Sequence, residues 1–333
     1  MPNISVILPV YNGSTYLRDA IESITTQSFR DFELIIINDG STDDSESIIK
    51  GIGDSRVHFV SQHNQGLAAT LNQGIRMVKG RYIARQDQDD LMLQTRLTKQ
   101  VEYLESHPDC AMVGTWCEIW VGNKPTDRSH RHSASNEALQ LDLLFDNPFV
   151  HSSVMVRTEV LRNLGGYSEN ESRQPPEDYE LWSRIAKNYQ VANIPEMLTV
   201  YREVEGSMSR TGVNPFLMNV IQISAENIAT VLVPKFSFDE CYLLASLYHG
   251  KRPENRENIL TQTLALLMHK KAALTIGGDL SDWSEEFIAR FNRQQAQIKS
   301  QFARRFLPSF LIKPAQFVKN FLTRITIFLG RSN

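Results

Sequence analysis

Phe32-Glu33-Leu34-Ile35-Ile36-Ile37-Asn38 is the stretch on which the fold turns. Its apolar residues are consecutive rather than alternate, so both faces of this strand need covering, as in the centre of a sheet flanked by helices on each side. Outward from it, short apolar runs at 4–8, 57–61 and 82–86 alternate with helical patterns that begin near Tyr16, Asp43 and Gly66. Strands and helices alternating at this spacing predict an α/β fold with a doubly wound, mostly parallel sheet. In such sheets ligands gather beyond the carboxyl ends of the strands.

From 93 a helical pattern runs to 106 and Pro108 ends it. Residues 110–121 read as a long strand, and 122–135 as a polar, basic, mobile loop. A second unit follows: a helix over 136–145, a strand over 152–157, a loop punctuated by Gly and Pro over 165–176, and a helix over 177–189. Short strands at 190–194 and 197–201 close it. Beyond Ser209 the pattern is mostly helical, broken at Pro234, Pro253, Pro308 and Pro314. The expected organisation is a first unit over 1–209, divided near 107 into two halves. A helical extension over 210–286 and a basic amphipathic tail over 287–333 complete it.

With 333 residues, 41% hydrophobic and 22% charged, the chain is long enough for one large α/β unit with an appendage. The net charge of −3 conceals an asymmetry. After Glu286 there is no acidic residue, while Arg290, Arg293, Lys299, Arg304, Arg305, Lys313, Lys319, Arg324 and Arg331 are all basic. That split points to an anionic partner for the tail. Phe317, Phe321, Ile325 and Phe328 recur at helical spacing beside Lys319 and Arg324, the pattern of a segment that lies on an anionic membrane surface; the competing reading is that these aromatics pack onto the 1–209 unit or a second subunit with the basic residues solvated. Cys110, Cys117 and Cys241 are odd in number and form no C-x-x-C pair, so neither a disulfide framework nor a structural zinc is indicated. No run of about 18 apolar residues occurs, and residues 1–3 lead straight into a strand pattern without a signal-peptide head. The expected location is cytoplasmic, peripheral at the inner face of the cell membrane.

The strongest local chemical signal is Arg85-Gln86-Asp87-Gln88-Asp89-Asp90, three carboxylates directly after a strand. Hard divalent cations take oxygen ligands, and magnesium commonly uses one or two protein carboxylates together with substrate phosphates. An isolated string of this kind serves equally well to cap the next helix. Asp39 also follows a strand, where its carboxylate can accept a hydrogen bond from a base imide. Ser41, Thr42 and Asp43 read first as a helix N-terminus. Pro9-Val10-Tyr11-Asn12-Gly13 stands where a dinucleotide-binding protein would carry G-x-G-x-x-G, which disfavours a nicotinamide enzyme. Glu177 and Asp178 open a helix whose Leu181, Trp182 and Ile185 face inward, so the carboxylates project toward the preceding Pro-rich loop. Such acids are also favoured there simply by the helix dipole.

Taken in order, ISVILPVYNG (4–13), FELIIINDGSTDDS (32–45), NQGLAATLNQGI (64–75), GRYIARQDQDD (80–90), NPFVHSSVMV (147–156), GGYSE (165–169), EDYELWSRIA (177–186) and YRE (201–203) resemble the bacterial, non-processive family 2 glycosyltransferases of GT-A fold. The resemblance covers roughly 3–209 and implies that the 1–209 unit is catalytic, with a nucleotide-binding half over about 1–107 and an acceptor half over 108–209. It implies that Pro9, Tyr11 and Asp39 line the nucleotide base, and that Asp87 and Asp89 form a D-x-D contacting ribose and a divalent cation, Mn or Mg, with Asp89 on the metal. It further implies that Asp178 is the base that activates the acceptor. Glu177, His151 and Arg202 are weaker candidates for donor or acceptor contact, with core packing the competing role for His151. The implied reaction moves a sugar from a nucleotide-diphosphate sugar, UDP-sugar favoured, to a hydroxyl of a glycan or lipid-linked acceptor with inversion, in bacterial surface polysaccharide assembly.

This sequence departs from the pattern in two places. Arg202 is followed by Glu203, Val204 and Glu205 where many relatives carry a His, which removes a third protein ligand. The Q-x-x-R-W signature and the membrane helices of processive synthases are also missing, so single-sugar addition is expected. Two alternatives are a nucleotidyltransferase of related fold and a non-catalytic sugar-nucleotide-binding module. The first requires a Gly-rich basic loop after the first strand, and the second should lose Asp89 or Asp178. Neither condition is met. No nucleic-acid partner is indicated.

Overall fold

A computed structural model describes residues 2–204, 216–232, 235–251 and 259–303. The first half runs β1 (Ile4–Val10), α1 (Ser14–Thr25), β2 (Phe32–Asp39), α2 (Ser45–Lys50), β3 (Val57–Gln62), α3 (Leu67–Met77) and β4 (Tyr82–Arg85). It continues through β5 (Leu91–Met92), α4 (Arg96–Ser106), β6 (Cys110–Val121), β7 (Lys124–His130), α5 (Asn136–Asp142), β8 (Met155–Arg157), α6 (Thr158–Asn163), α7 (Glu177–Ala186) and β9 (Gln190–Glu203). Four helices follow: α8 (Leu217–Leu232), α9 (Phe238–Tyr248), α10 (Ile259–Gly277) and α11 (Glu285–Ala303).

All nine strands join one sheet in the order β3-β2-β1-β4-β8-β6-β9-β5, with β7 paired to β6. The β3-β2-β1-β4 part is entirely parallel, as is the β6–β9 pair, while β8, β5 and β7 run antiparallel to their neighbours. The apolar runs of β1 and β2 explain the doubly covered sheet. Ile7, Ile35 and Ile37 pack on one face with Leu71 and Ile75 of α3 and with Trp182 and Ile185 of α7. Val6, Leu8, Leu34 and Ile36 pack on the other with Leu17 and Ile21 of α1 and Leu97 and Leu104 of α4. Each such side chain, fully buried, contributes roughly 1.5–3 kcal/mol.

A third core lies outside the sheet, where Leu141 and Phe145 meet Ile221, Leu244, Met268, Phe287 and Ile298 of the four C-terminal helices. Residues 287–303, the part of the basic segment that is described, therefore belong to a helix seated on protein. Phe317, Phe321, Ile325, Phe328, Lys319 and Arg324 lie outside the described residues. None of the described helices is long and apolar enough to cross a membrane.

Several elements differ from the sequence expectation. The segment 122–135, read as a mobile loop, contains β7. Its residues KPTDRSH carry no apolar alternation because it is an edge strand with little to bury. Residues 151–153 form a buried 3-10 turn, so β8 starts only at Met155. The two strands expected near 190–201 are one, β9, which passes Pro195 with a shift of register against β6. The expected cap of α2 is also displaced, since Asp44 is the N-cap and makes no side-chain capping bond.

Candidate active site

The carboxyl ends of β1, β2, β3 and β4 carry four loops laced together by side chains. Asp39, buried at the end of β2, accepts hydrogen bonds from Gln62 Nε2 at 2.7 Å, the Gln65 N–H at 2.8 Å and the Gly66 N–H at 2.9 Å. It thereby fixes the entry to α3. The loops after β1 and β2 are joined by three contacts: the Asn12 N–H to Ser41 Oγ at 3.0 Å, the Gly13 N–H to Ser45 Oγ at 3.0 Å, and the Ser14 N–H to Asp43 Oδ2 at 2.9 Å. Burial works to raise the Asp43 carboxyl, but hydrogen bonds from Ser45 and Ser14 outweigh it and hold it near about 2. The Ser41 and Asp43 side chains thus serve the neighbouring loop more than the helix. Pro9 sits buried in β1, and Tyr11, half exposed at 50%, stands at the open edge.

Beyond β4, Asp87 forms an ion pair with Arg85, whose guanidinium is buried. Asp89 is pushed up to about 6, first by burial and then by the neighbouring Asp87 charge, with Arg85 and Arg202 pulling against the shift. Asp90 is inside: it accepts from Ser152 Oγ and from the Arg202 N–H at 2.7 Å. Burial drives it well above the carboxylate range. Arg202 is buried as well, donating to the Asp89 carbonyl at 3.1 Å and to Asp19 Oδ2 at 3.1 Å, with its guanidinium 4.9 Å from the centre of the Tyr16 ring. The structure thus assigns Arg202 to holding the acidic turn in place.

The two carboxylates at the start of α7 turn to the 147–151 segment rather than to the Pro-rich loop. Asp178, partly buried, accepts from Asn147 Nδ2 at 2.7 Å and from the Tyr179 N–H at 2.7 Å. Glu177 lies with its Oε1 3.8 Å from His151 Nδ1, and burial followed by the Asp178 charge raises it to about 7. The third acid of that turn, Glu180, pairs with Arg184 and Arg173 and so serves the fold. Burial raises Asp178 too, against the hydrogen bond from Tyr179 and the attraction of Arg85. His151 is packed between Tyr167, whose hydroxyl lies 2.8 Å from His151 Nε2, and the edge of Trp182. Burial pushes its imidazole well below the usual range, so it is neutral.

Arg85 links the two acidic groups, since its charge acts on Asp89, Glu177 and Asp178 alike. Its direct partner is Asp87 on the D-x-D turn, and the carboxylates that open α7 feel it as a nearby charge. Among the described residues no cluster of three or more His, Cys, Asp or Glu could hold a metal ion. What the protein offers is Asp87 and Asp89, two hard oxygen donors whose mutual repulsion a cation relieves. That set fits a divalent ion shared with substrate phosphates.

Sequence reading missed Arg96. It is fully buried on α4 and donates to Gln100 Oε1, Gln86 Oε1, and the Ser152, Arg85 and Val154 carbonyls. Its spacing with Leu97, Gln100, Val101 and Leu104 on the inward stripe was the available signal.

A curled, mostly parallel sheet with an acidic turn after its fourth strand is the architecture of the GT-A class of glycosyltransferases. The family model described as glycosyl transferase family 2 matches residues 5–165. A putative glycosyltransferase, EpsE, of Bacillus subtilis (strain 168) is 32% identical over 227 residues, spanning 67% of this chain and 81% of that protein. The chain belongs to glycosyltransferase family 2. Among solved structures, S. aureus TarS 1-349 in complex with UDP-GlcNAc matches with a TM-score of 0.59 at 17% identity, covering 91% of this chain and 89% of that one. The mannosyltransferase PcManGT from Pyrobaculum calidifontis, in complex with GDP-Man and Mn2+, matches with a TM-score of 0.53 at 17% identity, covering 91% and 86%. These likenesses carry the fold.

Proposed function

We propose that this glycosyltransferase moves a hexosyl group from a nucleotide-diphosphate sugar, UDP-sugar favoured, to an acceptor hydroxyl by a single inverting displacement, and that the acceptor is a glycan or lipid-linked glycan of bacterial surface polysaccharide. The observation that supports the reading is a pair of acidic groups, Asp87 with Asp89 after β4 and Glu177 with Asp178 at the start of α7, the first ion-paired to the buried Arg85 and the second held by Asn147 and the Tyr179 N–H. On this reading Pro9, Tyr11 and Asp39 line the base, Asp87 lies at ribose or metal, and Asp89 holds Mn or Mg. When bound, such a cation neutralises the charge of the diphosphate leaving group.

Asp178 is the general base. Its oxygens are oriented by Asn147 and the Tyr179 N–H, so the remaining lone pairs are presented in a fixed direction and can take the proton of the attacking hydroxyl. Burial and the Asp178 charge raise Glu177 to about 7, and it is the next candidate for the base. With one base and no second carboxylate assigned as nucleophile, a single displacement inverts the anomeric centre.

Asp178→Asn is expected to reduce turnover by about 10²-fold or more with donor affinity little changed. The anomeric configuration of the product is read from proton coupling constants. An Asp178→Asn enzyme as fast as the parent, or a product with retained configuration, would overturn the assignment.

A further inference from the structure

Gln88 stands between the two carboxylates of the D-x-D, a position at which no family role was expected. Its side-chain amide makes a two-point contact with the backbone of Tyr11. The Tyr11 N–H donates to Gln88 Oε1 at 2.9 Å, and Gln88 Nε2 donates to the Tyr11 carbonyl at 3.0 Å. A primary amide read against both backbone groups of one residue fixes distance and orientation together, as a single contact cannot. The residue it grips is the one placed on the nucleotide base, and it is followed by a turn with Asn12 at φ 49°.

Gly13 supplies an independent observation. A Cβ there would lie 2.3 Å from Gln88 Oε1 and 2.4 Å from its Cδ, so the absence of a side chain at 13 is what leaves room for the amide. The contact is thus built from both sides. The gripped loop is further tied through Asn12, Gly13 and Ser14 to the loop after β2, which Asp39 closes at its other end.

Resting on the nucleotide and metal positions proposed above, we infer that Gln88 is a positioning residue that couples the base loop at 11–13 to the Asp87/Asp89 pair, so that cation binding at the carboxylates and nucleoside binding at Tyr11 strengthen each other. Coupling of this kind is reciprocal between sites. Asp87 and Asp89 flank Gln88 on the same short turn. Drawing them onto a cation sets the backbone between them, and the amide passes that setting to Tyr11 without needing any phosphate.

Hydrogen–deuterium exchange of the full-length protein with Mn2+ alone tests this without donor or turnover. In the wild type, Mn2+ should slow exchange in peptides covering 10–14 by about fivefold, the low end of ordinary site-to-site coupling, together with protection at 86–91. In Gln88→Ala the protection at 86–91 should remain and that at 10–14 should vanish. Gly13→Ala, which displaces the same amide from the loop after β1, should do likewise. Calorimetry with uridine, which has no phosphate to touch the cation, should show Mn2+ tightening binding in the wild type and not in either variant. Protection at 86–91 without any at 10–14 in the wild type overturns the coupling while leaving the metal position standing. Loss of protection at both segments overturns the metal position and the coupling with it. Unchanged protection at 10–14 in both variants removes Gln88 from the role.

Discussion

Replacing Arg96 by Met tests how the acidic turn is held. The guanidinium is fully buried and has no carboxylate partner in hydrogen-bonding contact among the described residues. Burial pushes it down to about 9, which leaves it charged at neutral pH. Its five hydrogen bonds end on two amide side chains and three backbone carbonyls. The amides can turn, and the Val154 carbonyl has a second donor in the Arg85 N–H at 3.0 Å, but the Ser152 and Arg85 carbonyls are fixed by the backbone. Two fixed acceptors left dry cost about 1–3 kcal/mol each. Methionine fills similar space and relieves the burial of a charge, which offsets part of the loss. The net expectation is a destabilisation of about 3 kcal/mol, or about 6 °C in melting temperature for a chain of this size. Arg96→Lys keeps the charge but cannot span the same acceptors, and should fall between the two. Because Arg85 and Ser152 carry the strand before the D-x-D and the hydroxyl on Asp90, activity at a temperature where the variant is folded should fall as well. Denaturant unfolding followed by circular dichroism measures the first effect. An Arg96→Met protein within about 1 kcal/mol of the parent would refute the account of the buried fork.

Asp89→Ala should abolish the gain in UDP affinity that Mn2+ confers, read by calorimetry, and excess chelator should do the same to the parent; undiminished binding in both removes the metal from Asp89. His269 is fully buried on α10, with Gln294 Oε1 2.8 Å from its Nε2 and Gln295 Nε2 2.8 Å from its Nδ1, a pair that suits only the neutral ring. Burial holds it at about 4, so the unfolded chain binds the proton first. Its contribution is complete above about pH 6.5 and is lost as pH falls toward 4, reaching roughly 3 kcal/mol. His269→Gln should flatten that limb of a melting-temperature profile, and an unchanged slope would exonerate this histidine. For membrane docking, the informative truncation follows Ala303 rather than Glu286, because Phe287 and Ile298 are core residues. The full-length protein should co-sediment with anionic vesicles at low salt and the truncated form should not; equal behaviour of the two removes the tail from that role.

Legibility from sequence followed burial. The strands of the first, parallel part of the sheet were readable because two covered faces leave long apolar runs in β1 and β2, and the acidic turn was readable because β4 ends immediately before it. The edge strand β7 was not, since a strand that buries little on either face leaves no periodic trace. The passage of the strand through Pro195 was misread for a related reason: proline signals a break, yet β9 absorbs it by shifting register against β6. At the site, residue types were legible and partners were not. Asp39 was placed correctly after its strand, but its hold on Gln65 and Gly66 joins residues 26 and 27 positions apart, which no local pattern encodes. Arg202 was legible as a residue type from its place in YRE, while its hydrogen bonds to the Asp89 carbonyl and to Asp19 come only from the fold.

The helical layer has its own bearing on how this enzyme can diverge. Arg173, in the loop before α7, bonds Glu226 of α8 at 2.8 Å, Asn219 of α8 donates to the Pro175 carbonyl at 3.0 Å, and Glu286 of α11 accepts from the Ala134 and Ser135 N–H groups. These anchors all fall in the second half of the catalytic unit, on the loop that leads into Asp178 and on the segment between β7 and α5. Drift in the appended helices is therefore transmitted to the loop that carries Asp178, the side that meets the incoming hydroxyl on the function proposed above. On that proposal the lineage can retune its acceptor by repacking a remote surface, while the loops laced around Tyr11 and Asp39, anchored elsewhere, are left undisturbed.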